Sequence, residues 1–179
     1  MKDLHTGGTV GSLIVAAIIR HADRPAIADS SVSWTYRELG DAIARFITAF
    51  ETLGLKTGDA LSILSSNRAE SWAAMCAGLV MGMRYTPLHP LAAEDDHVFI
   101  IEDAEIDALI VEGAKFGDRV EAIKRRVPAL KHLLSFGPAV GCLDVLAAAR
   151  AASPAALVAE GDAEGISPPP CFTKRSRSF

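Results

Sequence analysis

Apolar positions along the chain follow two patterns in turn: stripes spaced three and four residues apart, and short unbroken runs. Residues 12–21 read as a helix, with Ser12 as the cap before Leu13, Ala16, Ala17 and Arg20. Residues 26–29 and 32–34 read as two short strands around Ser30 and Ser31, a hairpin. Thr35 with Glu38 has capping-box spacing, in which hydroxyl and carboxylate each satisfy a free backbone N–H at a helix start. The stripe Leu39, Ile43, Phe46, Phe50 and Leu53 continues that helix, and Gly54 stands where a left-handed terminal residue is wanted. After a Gly58-Asp59 turn, residues 60–64 form a run suited to a strand buried on both faces.

Asn67 with Glu70 repeats the capping spacing, and the helix it starts carries Trp72, Met75, Cys76, Leu79 and Met83 on one side, a stripe read as core. Residues 85–88 are extended, pinned by Pro87 and Pro90. Residues 91–102 return to helix, and Glu94, Asp95 and Asp96 in its first turn complement the dipole as a solvated acidic turn rather than a metal site. A strand at 108–111, a helix at 116–127, a strand at 131–136 and a short helix at 143–150 complete the pattern. Strands alternating with helices predict an α/β fold with a mainly parallel sheet covered on both faces.

The 179 residues, half of them apolar, suffice for one core. A net charge of −4 gives no basic footprint for nucleic acid. Three widely spaced cysteines, Cys76, Cys142 and Cys171, fit a reduced cytoplasmic protein and suggest neither a disulfide framework nor a metal site. The apolar runs at 13–19 and 73–83 are too short to span a bilayer, so no transmembrane segment is expected. The character changes after Ser153. Residues 154–166 read as a linker, and residues 167–179 hold three consecutive prolines, then Lys174, Arg175 and Arg177 with no acid, a composition expected to be disordered. The expected division is therefore a flexible lead at 1–11, a domain at 12–153, and a linker with a proline-rich basic tail at 154–179.

Four motifs in order carry a resemblance. WTYREL at 34–39, LGLKTGDALSILSSN at 53–67, GLVMGMRYTPLHP at 78–90, and the helix and strand that follow resemble the N-terminal part of the adenylate-forming superfamily, and within it the AMP-forming acyl-CoA synthetases or fatty-acid–CoA ligases. Each motif alone is weak; their order and spacing, over residues 12–165, are specific. The resemblance implies an incomplete N-terminal subdomain of the adenylate-forming fold. It also implies ATP-dependent activation of a carboxylic acid to an acyl adenylate, then thioester formation with coenzyme A, a ligase role in fatty acid and lipid metabolism. ATP, magnesium and CoA are the cofactors of the full-length family.

Adenylation needs backbone donors and a cation around the phosphates, a magnesium ligand and a mobile lysine. In the family the phosphate loop is expected just after GDAEGI at 161–166, where this sequence reads SPPPCFTKRSRSF. The expectation is thus of a chain truncated before the loop by an out-of-frame end. On that expectation it has no catalytic, cofactor-binding or metal residue of its own, binds no cofactor alone and is inactive alone. Whether such a chain is an enzyme is left open. The alternative is a non-catalytic module that docks with a separate C-terminal synthetase fragment, or with a second copy; nucleic-acid or membrane-surface binding by the basic tail ranks last.

Three local readings complete the picture. HTGGTVGS at 5–12 looks like a phosphate cradle through Gly7, Gly8 and Gly11, but has no lysine and no preceding strand, so a flexible lead is preferred. His89, between Leu88 and Pro90, reads as a turn residue rather than a catalytic base. His5, His21, His97 and His132 show no ligand spacing.

Overall fold

The computed structural model describes residues 8–29 and 32–158. The turn at Ser30 and Ser31, His5, Gly7, Cys171 and the basic tail lie outside the described residues. The elements are α1 (Val10–Arg20), β1 (Pro25–Ala28), β2 (Ser33–Thr35), α2 (Tyr36–Thr52), β3 (Ala60–Leu64), α3 (Ala69–Val80), β4 (Arg84–Pro87) and α4 (Glu94–Asp103). They continue with β5 (Ala108–Glu112), α5 (Gly113–Phe116), a 3-10 turn (Gly117–Arg119), α6 (Val120–Arg126), β6 (His132–Phe136), β7 (Leu143–Asp144) and α7 (Val145–Ala151).

Strands β1 and β2 form an antiparallel ribbon, and the other five form a parallel sheet of order β4-β3-β5-β6-β7. The mainly parallel α/β sheet expected from the alternation is therefore present. The doubly buried run at 60–64 makes β3, all five of whose residues are buried. Side chains alternate across it: Leu61 and Ile63 join Ala108 and Ile110 under α1, α2, α3 and α7, while Ala60 and Leu64 join Leu109 and Val111 under α4 and α6. This is the period of two that a strand covered on both faces requires.

The capping box at Thr35 is formed: Glu38 N donates to Thr35 Oγ1 at 3.3 Å, and Thr35 N donates to Glu38 Oε2 at 2.7 Å. Helix α2 buries Leu39, Ile43, Phe46 and Phe50 of the predicted stripe, with Ile43 and Phe50 fully inaccessible; Leu53 is its partly buried C-cap, followed by Gly54 at φ +83°. Burying each such side chain contributes roughly 1.5–3 kcal/mol.

Five local expectations are corrected. Helix α1 begins at Val10, and its cap is Thr9, whose Oγ1 accepts from Ser12 N at 3.1 Å, because Thr9 keeps the extended backbone a cap needs. Asn67 does not cap α3: the cap position is Arg68, and Ala69 N instead donates to Asp29 Oδ2 at 2.9 Å, a partner supplied by the distant end of β1. The helix expected at 91–102 starts only at Glu94, leaving Leu91 exposed. The two later helices are also divided: 116–127 breaks at a 3-10 turn, and 143–150 opens with strand β7, paired to β6.

Helix α1 lies against α3 at Gly11, where an added Cβ would sit 2.7 Å from Leu79 O and 2.9 Å from Val80 Cα. Past α7 the chain runs back along α2: Thr48 Oγ1 donates to Ser153 O at 2.9 Å, and Ala155 N donates to Ala44 O.

Candidate functional site

In an open parallel sheet a crevice opens at the carboxyl ends of two neighbouring strands whose connections leave on opposite faces. Here those strands are β3, which leads to α3 on one face, and β5, which leads to α5 and α6 on the other. Polar residues follow or close each: Ser65 and Ser66 come after β3, and β5 ends in Glu112. Glu112, the last residue of β5, lies on the α2–α3 face of the sheet at 6% exposure.

Its Oε2 accepts from Ser66 N at 2.8 Å, Ser66 Oγ at 2.6 Å and Ser65 Oγ at 3.3 Å. Lys115 Nζ lies 3.3 Å from Oε1 and donates to Ser66 Oγ at 2.8 Å. Burial pushes the Glu112 carboxyl up, but the hydrogen bonds from Ser66 and the Lys115 ammonium outweigh it and hold the group below its ordinary value. Ser71 Oγ extends the chain by donating to Ser65 Oγ at 2.8 Å. A carboxylate held ionised in this way is a weak proton acceptor, and the serine hydroxyls are turned onto protein acceptors. The arrangement ties loops together and shapes a surface; it does not assemble a nucleophile with its base.

Beside this network opens a crevice of about 490 Å³. Its walls are Ile27 and Ala28 of β1, Ile63 of β3, Trp72 and Met75 of α3, and Tyr85 and Pro87 of β4, with Ser65, Ser66 and Ser71 on one side. Arg68 lines it as well, donating through Nε to Glu70 Oε2 at 3.0 Å and lying 5.6 Å from the Phe136 ring centroid. Burial raises the Glu70 carboxyl, and the Arg68 guanidinium more than reverses this, leaving it below its usual range.

Of the expected stripe, Cys76 and Met83 are core and Met75 packs partly against it, but Trp72 is not. Trp72 is 51% exposed and Met75 is half-buried, both at the crevice, while the buried side of α3 is made of Ala73, Ala74, Cys76, Ala77 and Val80. Small residues win that face because α1 and α2 pack closely there, leaving no room for large side chains.

His89 is a turn residue: its Nδ1 accepts from Leu91 N at 3.2 Å, and its carbonyl accepts from His97 Nε2 at 2.9 Å. His97 is fully buried, and Arg119 Nη1 donates to its Nδ1 at 3.1 Å and to Ala92 O at 3.1 Å. A guanidinium only donates, so the His97 ring holds its hydrogen on Nε2. The cluster fixes the loop between β4 and α4, the far wall of the crevice. In the acidic turn, Arg126 Nη1 meets Asp95 Oδ1 at 2.6 Å and Glu94 Oε1 at 3.6 Å, and Asp96 Oδ2 accepts from Ala93 N at 3.3 Å. Among the described residues no group of three or more His, Cys, Asp or Glu is placed to hold a metal ion.

Residues 8–12 do not fit a triphosphate. Gly11 is filled by the Leu79 carbonyl rather than left open for a ligand, and Thr9 Oγ1 occupies the Ser12 N–H. Glu112 and Asp29 are the polar residues that sequence reasoning missed. A lone carboxylate closing the apolar run ALIV was the signal for the first; the second depends on a contact forty residues away.

A doubly wound α/β unit with a crevice between α3 and the β3 and β4 strand ends defines the class. Within it the chain belongs to the AMP-binding enzyme family, whose model matches residues 15–170. Over 155 residues it is 37% identical to a medium/long-chain-fatty-acid–CoA ligase of Mycobacterium tuberculosis, covering 83% of this chain and 27% of that one. The fold is that of an anthranilate CoA ligase solved with anthranoyl-AMP (TM-score 0.78, 22% identity, 89% of this chain and 31% of that one). It is also that of Mycobacterium smegmatis MbtA in its apo form (TM-score 0.75, 24% identity, 90% of this chain and 29% of that one). The chain thus spans about a quarter to a third of the length of these relatives. Among the described residues no helix is long and apolar enough to cross a membrane.

Proposed function

We propose that this chain supplies the first sheet-and-helix unit of an AMP-forming fatty-acid–CoA ligase. The full reaction joins a fatty carboxylate to the α-phosphorus of ATP with loss of pyrophosphate, and the acyl group then passes to the thiol of CoA with loss of AMP. The observation that carries this reading is the 37% identity to the Mycobacterium tuberculosis ligase over 155 residues. The unit runs from residue 12 to residue 153, with 1–11 as its lead and 154–179 as linker and tail, and Thr9 and Leu157 pack onto its edges. It acts in the cytoplasm.

The 179-residue polypeptide, assayed alone, does not form an acyl adenylate. Supporting this, the described part of the candidate phosphate loop, residues 8–12, is taken up by helix capping and packing. A chimaera decides the family role: the matched stretch of the Mycobacterium tuberculosis ligase is replaced by residues 9–158, which keep the α1 cap and the Leu157 contact, and fatty acyl-CoA formation is measured. Retained activity is the expected result, and a folded chimaera that makes none overturns the reading. Pyrophosphate release by the purified chain with ATP, magnesium, fatty acid and CoA overturns the claim of inactivity.

A second reading, a non-catalytic module that completes a separately made synthetase, is favoured by one observation. Trp72, Met75 and Tyr85 form an apolar wall at an open crevice.

A further inference from the structure

We propose that the outer face of α4, centred on Phe99, is the docking surface for residues 172–179 of this same chain, FTKRSRSF. The proposal is independent of the ligase reading and stands whether or not that reading does.

The helical repeat builds the face. Helix α4 turns His97, Val98 and Ile101 inward and so sends Phe99 outward, 65% exposed. Leu91, just before the helix, is exposed as well. Residues three and four apart are neighbours on a helix surface, which places Asp95, Asp96, Glu102 and Asp103 beside Phe99. No lysine or arginine lies within the helix. A large aromatic ring left in water gains free energy when a partner covers it, and a ring framed by carboxylates gains most from a cation with apolar neighbours.

This helix already accepts one guanidinium. Arg126 Nη1 reaches across from α6 to Asp95 Oδ1 at 2.6 Å and Glu94 Oε1 at 3.6 Å. Among the described residues it is the one ion-pair partner of the α4 carboxylates, so Asp96, Glu102 and Asp103 have none there.

Charge and length select the occupant. Residues 172–179 carry Lys174, Arg175 and Arg177 between Phe172 and Phe179, with no acid. The guanidinium groups match carboxylates in a fork and stack on an aromatic face, and the two phenylalanines bring apolar area for Leu91 and the Phe99 ring. Near the end of the described stretch, Ala155 and Leu157 pack in the helix layer of α2, across the sheet from α4. Two helix layers with a sheet between them lie about 20 Å apart. Residues 159–171 span up to about 43 Å when extended, so the connection passes the sheet edge with length to spare. Exposed ion pairs are individually weak, but a segment tethered at this length is present at a local concentration on the order of a millimolar, where weak contacts suffice.

The test uses the full 179-residue chain with Phe172→p-benzoylphenylalanine, irradiated and then digested, the cross-linked peptides being read by mass spectrometry. Cross-links to residues 91–103 of the same chain are expected. Raising sodium chloride from about 0.05 M to about 0.5 M should cut their yield about threefold or more, because exposed charges are screened. A Glu102→Lys, Asp103→Lys variant should lower it by a similar factor, and Phe99→Ala by about twofold or more. Glu51→Lys, an exposed position on α2, should leave it unchanged. Urea midpoints establish that each variant is folded, and the salt series needs no further substitution. Cross-links spread evenly over the surface, or directed to the crevice at Trp72, overturn the proposal. So does a yield at 91–103 that neither salt nor charge reversal lowers. In a mixture of heavy-isotope-labelled and unlabelled chains, cross-links joining the two labels also overturn it, since the segment would then be docking on a second copy.

Discussion

Glu112 Oε2 receives both the amide and the hydroxyl of Ser66, at 2.8 and 2.6 Å, so that the end of β5 holds the turn that follows β3. One carboxylate thereby positions Ser65 and Ser66, which line the crevice. Glu112→Gln keeps the shape but removes the charge and turns one acceptor into a donor facing Ser66 or Lys115. It should cost about 1–3 kcal/mol, read as a lower urea midpoint with an unchanged slope. An unchanged midpoint would show the tie to be dispensable.

Acid should unfold the protein through its depressed carboxylates. In Asp107 burial raises the group, but Lys131 at 2.7 Å and the Ala60 amide at 2.8 Å outweigh it and hold it below its ordinary value, as Ser66 and Lys115 do for Glu112. A carboxylate whose folded value lies below its unfolded one stabilises fully above the unfolded value, about 4, and the stabilisation is lost as pH falls through the folded value. The urea midpoint should therefore be level near neutrality and fall below about pH 4, less steeply in an Asp107→Asn, Glu112→Gln double variant.

Gly11→Ala discriminates between packing and phosphate binding. The new methyl meets the Leu79 carbonyl, which is backbone and cannot swing aside, so α1 must shift on α3 at a cost of about 1–3 kcal/mol. Equilibrium binding of a labelled ATP analogue should be absent in both parent and variant. Binding that the substitution abolishes would restore the cradle reading.

The Trp72 and Phe50 substitutions should differ sharply in stability. Phe50 is inaccessible and makes a tilted ring contact with Phe46 at 6.0 Å between centroids, so Phe50→Ala should cost about 3–5 kcal/mol. Trp72→Ala, at a half-exposed position, should cost far less. Comparable losses in thermal denaturation would mean that Trp72 is core after all.

Cys76 should be inert. Burial pushes its thiol up to about 11, so the thiolate that reacts is scarce at neutral pH, and the side chain lies under α2. A disulfide reagent should label it only when urea unfolds the chain; rapid labelling of Cys76 in the native protein, read by peptide mass, would contradict the packing.

Much of the fold was legible because its signals are local. The capping box at Thr35 and Glu38, the α2 stripe, Gly54 and the doubly buried run at 60–64 each follow from backbone hydrogen bonding or side-chain periodicity within a few residues, and each is where the spacing placed it. The motif order that resembled adenylate-forming enzymes was local in the same sense, and the family match bears it out. The site was not legible in that way. The partner of the α3 start is Asp29, the serines beside the crevice are held by Glu112, and Trp72 faces outward while α3 packs Ala73, Ala74, Cys76, Ala77 and Val80 inward. Those outcomes depend on which strands become neighbours and how closely helices approach. A chain's own periodicity cannot specify them, since burial is decided by what packs opposite.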